Sequence, residues 1–254
     1  MAPVFRSRWR LCGAALLLVL PWAAAADDIQ FDRPGIPFSP STLGRGGFAW
    51  EQGLPDVSWE RSDGGIQREY DASTMLRLGL SDRLELQLSG DTQVWRRDAG
   101  PDAVRGHGAG STALAAKVVL PSSRESFAWA LLAQADLDSG SRTYGSDDHL
   151  RSIALTSQWT LPQDRALALY AQLADSRAGH SWTFAPNYTF ISGERWQAYV
   201  EAGIGHGPDS TRAAGAGMAW MLGQHAQLDV SLLRGTAADA PDWQGGLGLS
   251  IGFQ

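Results

Sequence analysis

LRLGLSDRLELQLSG, residues 76–90, is the stretch whose reading decides the fold class. Leu76, Leu78 and Leu80 share one parity, and Arg77 and Gly79 the other. Beyond a Ser81-Asp82 turn, Leu84, Leu86 and Leu88 alternate with Arg83, Glu85, Gln87, Ser89 and Asp91. Successive side chains of an extended strand point to opposite faces, and strands joined by so short a link pair as an antiparallel hairpin. Each strand then carries one aliphatic face and one bearing Arg, Glu, Gln and Asp. Water outside with an apolar core inside satisfies that pattern, and so does lipid outside with a polar lumen inside.

The same alternation runs outward from this hairpin in both directions. Upstream, Phe48, Trp50 and Gln52 oppose Ala49, Glu51 and Gly53. Downstream, Leu114 to Leu120 alternate around Lys117, Phe127 to Leu137 alternate with Ala128 to Asp138, and similar runs end in Leu247, Leu249, Ile251 and Phe253. Pro186 interrupts the run Trp182 to Phe190 and predicts a bulge or a break, because proline has no N–H for the ladder. Twelve strand candidates result, mostly of 9 to 13 residues. The connections after strands two, four, six, eight and ten are short (SD, PSSRE, LPQDR, SGE, GQH). Those after strands one, three, five and eleven are longer and more polar, the first of them spanning Glu60 to Glu69, and those after seven and nine only modestly so. A soluble sandwich has no reason to sort its loops by end. A transmembrane antiparallel β-barrel of about twelve strands does, with both termini on the short-turn, periplasmic side. Trp50, Trp59, Trp95, Trp129, Trp159, Trp182, Trp196, Trp220 and Trp243 lie mainly near strand ends, as interfacial girdles require.

The chain start predicts export. Arg6, Arg8 and Arg10 precede the apolar run Leu11 to Leu20, and Ala23 to Ala26 lead into Asp27, the pattern of a signal peptide over residues 1–26. Ten apolar residues are too few to span a bilayer as a helix. Cys12 precedes most of the run, which is the wrong place for a lipid-attachment cysteine, and no other cysteine follows. Removing residues 1–26 takes away three of the 21 basic residues and none of the 27 acidic ones, leaving a charge of about −9 and 228 residues. Such a balance argues against nucleic acid as a partner. Residues 27–47, with DRPG at 32–35, Pro37, Pro40 and GRGG at 44–47, read as an extended periplasmic leader or partial plug ahead of a barrel over 48–254.

DRPGIPFSPSTLGRGGFAWEQG at 32–53, the 76–90 hairpin, LAAKVVLPS around Lys117, LDVSLLRG and the closing GGLGLSIGF resemble the family named for the meta-pathway of phenol degradation. The resemblance covers nearly the whole mature chain. It implies a Gram-negative outer-membrane barrel that passes small, aromatic or hydrophobic solutes.

Glu51, Arg77, Arg83, Glu85, Lys117, Glu201 and Asp229 fall on the parity opposite the aliphatic one and are the candidate lumen-lining residues. Near the bilayer midplane an outward Arg or Lys costs about 2 to 4 kcal/mol, so the lumen is the favoured side. Two readings of them compete: a salt-bridged network that fills a narrow barrel, and a charged constriction that selects solutes. Lys117 is the one lysine of the chain. His107, His149, His180, His206 and His225 lie in or beside connections without paired metal-ligand spacing, so no metal or cofactor is expected. Ser181 adjoins His180, which keeps a Ser-His-acid lipid-modifying enzyme as a third reading. The expected surroundings are outer-membrane lipid and lipopolysaccharide, the outer-membrane insertion machinery and a small solute, with the barrel a monomer.

Overall fold

The computed structural model describes residues 29–254 except 63, 64, 102, 138, 142, 145–148, 194 and 239. The signal-peptide reading of residues 1–26 lies outside the described residues. Among those described, fourteen strand segments follow in order: β1 (Phe48–Ser62), β2 (Gly65–Ser81), β3 (Leu84–Arg97), β4 (Arg105–Gly108), β5 (Thr112–Val119), β6 (Phe127–Leu137), β7 (Arg151–Leu161), β8 (Arg165–Ser176), β9 (Gly179–Ser192), β10 (Trp196–Ala202), β11 (Ile204–His206), β12 (Ala213–Met221), β13 (Ala226–Gly235) and β14 (Trp243–Phe253). They build twelve staves, because β4 and β5 both pair with β3 and form one interrupted stave, as do β10 and β11 against β9. Every pairing is antiparallel between neighbours in sequence, and β1 on β14 closes the cylinder (Phe48 opposite Phe253, Trp59 opposite Trp243). Closure pairs the long staves on both sides, the condition for a sheet to cross lipid, and among the described residues only the short β4 and β11 pair on one side alone.

Side-chain parity sorts as the alternation predicts. Leu78, Leu80, Leu86, Leu88, Leu114, Val118, Leu228, Val230 and Leu247 are exposed on the outer surface, while Arg77, Glu85 and Lys117 are fully buried inside. Aromatic side chains gather at both rims. Trp196 and Trp220 stack at 5.0 Å with an interplanar angle of 2°, and Phe127 lies 4.9 Å from Trp159 near the short turns. Trp59 and Trp243 face each other across the β1–β14 seam at the other end.

Two elements depart from expectation. The polar run Glu60 to Glu69 is not a loop but the tip of a long hairpin, in which Glu60 pairs with Gln67 and Ser62 with Gly65. A hairpin of 15- and 17-residue strands outruns the 9 to 11 residues needed to cross a bilayer, so its tip stands in water, where both faces are polar. Its lack of an apolar face concealed the strand. Pro186 sits inside an unbroken β9, opposite Leu169. The break it predicts appears in the neighbouring stave instead: Glu201 pairs with Asn187 and Ile204 with Phe184, and the ladder fails at Gly203, whose N–H turns to Ala213 O.

β1 carries a bulge between Gly53 and Asp56 against both neighbours. The extra residue shifts the strand's parity, so Glu51 before it and Asp56 after it both point inward, a re-aiming for which bulges are suited.

An arginine placed on the outer wall tests this orientation. Leu88→Arg in lipid vesicles is expected to lower unfolding stability by about 2 to 4 kcal/mol, read as an earlier urea midpoint of tryptophan fluorescence; an unchanged midpoint would contradict lipid contact at Leu88.

Candidate functional site

Residues 29–47 enter the barrel at the short-turn end, reach furthest in at Arg33 to Ile36, and return to β1. The path follows from the contacts. Ile29, Phe31 and Leu43 form a buried cluster with Ala49 and pack against Met221 of β12. Thr42 Oγ1 donates to Asp82 O in the β2–β3 turn, and Gln254 Nε2 donates to Leu43 O. Phe38 joins Ala130, Ala154, Tyr170 and Ala185, from β6, β7, β8 and β9, with its ring 6.1 Å from Tyr170 at 88°. A segment that meets opposite walls of a closed cylinder through their buried faces lies inside it. The GRGG element is a turn seated on β2: Gly46 N–H donates to Gly79 O and Gly79 N–H to Gly47 O. A Cβ at Gly79 would fall 1.6 Å from Gly44 O, so only glycine admits this approach.

One ionic cluster holds the segment's middle. Asp32 receives Lys117 Nζ at 2.9 and 3.0 Å, Gln87 Nε2 at 2.8 Å and the Ser39 N–H at 2.9 Å. Arg77 forks onto Glu85 (Nε to Oε1 2.8 Å, Nη2 to Oε2 3.1 Å), and its Nη1 donates to Glu51 Oε1 at 2.7 Å and Gln30 O at 3.0 Å. Glu51 in turn accepts the Asp32 and Arg33 N–H groups at 3.0 and 2.8 Å, and Glu85 the Leu43 N–H at 3.0 Å. Two cations thus meet three carboxylates, and backbone N–H donors offset the surplus negative charge. Register explains the assembly. Glu85 stands opposite Lys117, and Arg77, opposite Gln87, lies between Glu51 of β1 and Glu85 of β3.

A second cluster grips the innermost turn. Arg33 makes a two-pronged contact with Asp56 (Nη2 to Oδ1 2.8 Å, Nη1 to Oδ2 2.9 Å) and reaches Asp229 Oδ1 at 3.4 Å. Ser73 Oγ donates to Asp56, Gln227 Nε2 donates to Arg33 O at 2.8 Å, and Ile36 N–H donates to Glu201 Oε2 at 2.8 Å.

Six of the seven residues singled out in the sequence, Glu51, Arg77, Glu85, Lys117, Glu201 and Asp229, are buried inside, and each touches the segment. Arg83 is a correction. It is exposed in the turn, because the β2–β3 link comprises Asp82 and Arg83, with Ser81 Oγ accepting the N–H groups of Arg83 and Leu84. Asp32, Arg33, Asp56 and Gln87 were missed. Asp32 and Arg33 lie in a stretch that reads as turn punctuation, and the bulge removes Asp56 from its apparent parity.

His180 and Ser181 project to opposite faces of β9. His180 is exposed and pairs with Asp175 at 2.7 Å, whereas buried Ser181 meets Asp209. They cannot share a proton as a nucleophile–base pair. Among the described residues no three His, Cys, Asp or Glu side chains are grouped to hold a metal.

A closed twelve-stave antiparallel cylinder with an aliphatic exterior and a charged interior is an outer-membrane β-barrel. The chain matches the family described as "Putative MetA-pathway of phenol degradation" over residues 31–253 and belongs to it. No curated protein matches it. The fold is similar to that of an outer membrane channel from Pseudomonas putida F1 (TM-score 0.62, 14% identity, 87% of this chain and 100% of that one). It is also similar to the KdgM porin, solved in complex with disordered oligogalacturonate (TM-score 0.54, 11% identity, 82% of this chain and 99% of that one).

Burial alone pushes the Asp32 carboxyl up, but the Arg77 and Lys117 charges and the bonds from Lys117 and the Ser39 N–H outweigh it and hold the carboxyl below its ordinary 3.8. A lowered folded-state value contributes stability that is complete above pH about 4 and is lost as pH falls through the folded value. Asp32→Asn is therefore expected to flatten the acid limb of the stability–pH curve below pH about 4 (on the order of one proton,), and an unchanged limb would count against this grip on the segment. Arg77→Met, which leaves buried Glu51 and Glu85 without their main cation, is expected to cost about 3 to 5 kcal/mol in urea unfolding.

Proposed function

We propose that the protein is a passive outer-membrane channel for small solutes, held closed at rest by residues 29–47 acting as a plug, with the short turns and both termini in the periplasm. The observation that carries this reading is that the six buried wall charges from β1, β2, β3, β5, β10 and β13 all contact that one segment. A network whose only task is to brace the wall would pair its members with one another. Here four of the eight oxygens of Glu51, Glu85, Glu201 and Asp229 also receive main-chain N–H groups of a segment that belongs to no strand.

A small solute is supported by the space beyond the plug. On its inner side a cavity of about 290 Å³ is walled by Pro34, Ile36, Val57 and Leu233 together with Arg33, Asp56, Asp71 and Glu201. That volume suits a single-ring or short aliphatic compound. The family's description, which refers to phenol degradation, agrees with an aromatic solute. The second reading, a barrel that is permanently filled and has no conductance, is favoured by the complete burial of Arg77, Glu85 and Lys117.

The two readings separate when the plug is released without shortening the chain. Asp32→Ala with Arg33→Ala removes the anion from one cluster and the cation from the other. In planar bilayers the double variant is expected to raise the open probability at least tenfold, and in liposomes to speed swelling with small phenolic solutes. A correctly folded variant that stays as closed as the natural protein would favour the filled barrel.

A further inference from the structure

We infer that the cavity beyond residues 33–36 is a subsite for a small primary amine, one ammonium on a compact apolar body. The inference rests on the channel reading only for passage; binding stands apart from it. The carboxylates at this cavity are not equivalent. Asp56 is neutralised by the fork of Arg33. Asp71 and Glu201 line the same space and are not among the ion pairs found for the described residues.

Glu201 is 95% buried, and its carboxylate is divided between two environments. Oε2 accepts the Ile36 N–H at 2.8 Å and Asn187 Nδ2 at 3.2 Å, while Oε1 has no hydrogen-bond partner in the protein. Asp71 Oδ1, on the facing strand β2, likewise has none. The Tyr199 hydroxyl, also without a partner, stands close by: a Cβ at Gly35 would lie 3.6 Å from it and 3.4 Å from Glu201 Oε2. A desolvated carboxylate oxygen demands a donor, and two such carboxylates lining one space ask for a cation that carries several N–H bonds. A primary ammonium has three. Pro34, Ile36, Val57 and Leu233 supply the apolar surface for the rest of the molecule, and about 290 Å³ leaves room for one ring. An anion is disfavoured because the cation lining the cavity, Arg33, has both Nη groups engaged with Asp56 and Asp229 and only Nε without an acceptor, against the two unpaired carboxylates.

The test uses the full mature chain folded in detergent, titrated calorimetrically with benzylammonium, benzyl alcohol and benzoate, which share a ring and differ in charge. Benzylammonium is expected to bind at least tenfold more tightly than benzyl alcohol, with benzoate weakest. Asp71→Asn and Glu201→Gln are each expected to weaken benzylammonium about tenfold and leave benzyl alcohol unchanged. Heat-modified electrophoretic mobility checks that each variant is folded, and Asp71→Asn carries the test should Glu201→Gln fail to fold. Equal binding of the three compounds, or a folded Asp71→Asn variant with unchanged affinity, would overturn the subsite and leave the cavity to water. Liposome flux of the same amine reads the channel separately. Binding without flux would keep the subsite and remove the channel, whereas flux indifferent to Asp71→Asn would keep the channel and remove the subsite.

Discussion

Carboxylates on the inner wall of this barrel need hydrogen-bond donors that the wall itself cannot spare. Every N–H within a strand is committed to the ladder, so a buried Glu on one stave must look to side chains or to chain that is not in a strand. Residues 29–47 are such chain. Their prolines and turns leave N–H groups unused by any sheet, and those of Asp32, Arg33, Ile36 and Leu43 go to Glu51, Glu201 and Glu85. The need is mutual, because an irregular segment with buried main-chain groups also has to find acceptors. Wall and segment complete each other, and the alternation that placed acids inside the cylinder is what makes the cylinder a receptacle.

This interface is polar where it is tightest and apolar only in two small patches, around Phe38 and around Ile29, Phe31 and Leu43. The balance matters for reversibility. Withdrawing an apolar plug of the same length would expose its whole surface to water at about 25 cal/mol per Å². Withdrawing this one exchanges hydrogen bonds to protein for hydrogen bonds to water, with a net cost near 1 kcal/mol for a typical bond and more for charged ones. If the segment is the plug proposed above, bonds that exchange with water suit it to opening, and the charged grip at Asp32 and Arg33 would set how firmly it closes.

Much of this was legible in the residues. The 76–90 hairpin gives the alternation, and alternation carries six of the seven charged candidates to the inside because parity persists over the part of each stave that bears them. It fails where the count of residues changes. One residue of turn register puts Arg83 in water, and one bulge residue near Pro55 swings Asp56 inward, with no sign in the sequence but the proline itself. The long hairpin tip at Glu60 to Glu69 hid for a different reason: outside lipid neither face needs to be apolar, so period-two hydrophobicity vanishes although the ladder continues. Least legible was the partner of the inward charges. Residues 27–47 contain the turn-forming prolines and glycines of a linker, and nothing local says that Asp32 and Arg33 will meet Lys117 and Asp229 across gaps of 85 and 196 residues.

The single lysine among twenty arginines shows what the inner wall requires of each cation. Arg77 uses a planar fork: two parallel bonds to Glu85, with the remaining edge turned to Glu51 and to a main-chain carbonyl. Guanidinium geometry is matched to a carboxylate lying flat beside it. Lys117 meets Asp32 head-on, with both oxygens near 3 Å from one nitrogen, while the Phe38 ring, centred 5.7 Å away, and the Ser39 carbonyl fill the space around it. A second guanidinium there would need width on the side that Phe38 occupies, and its fork would compete with Gln87 for Asp32 Oδ2. A compact ammonium on a flexible stem fits between the ring and the carboxylate. The wall therefore presents a rigid cation toward its own strands and a slender one toward the segment. Only the second has a carboxylate of the segment as its main partner, so Lys117 follows the segment in a way that Arg77, anchored on two wall glutamates, does not.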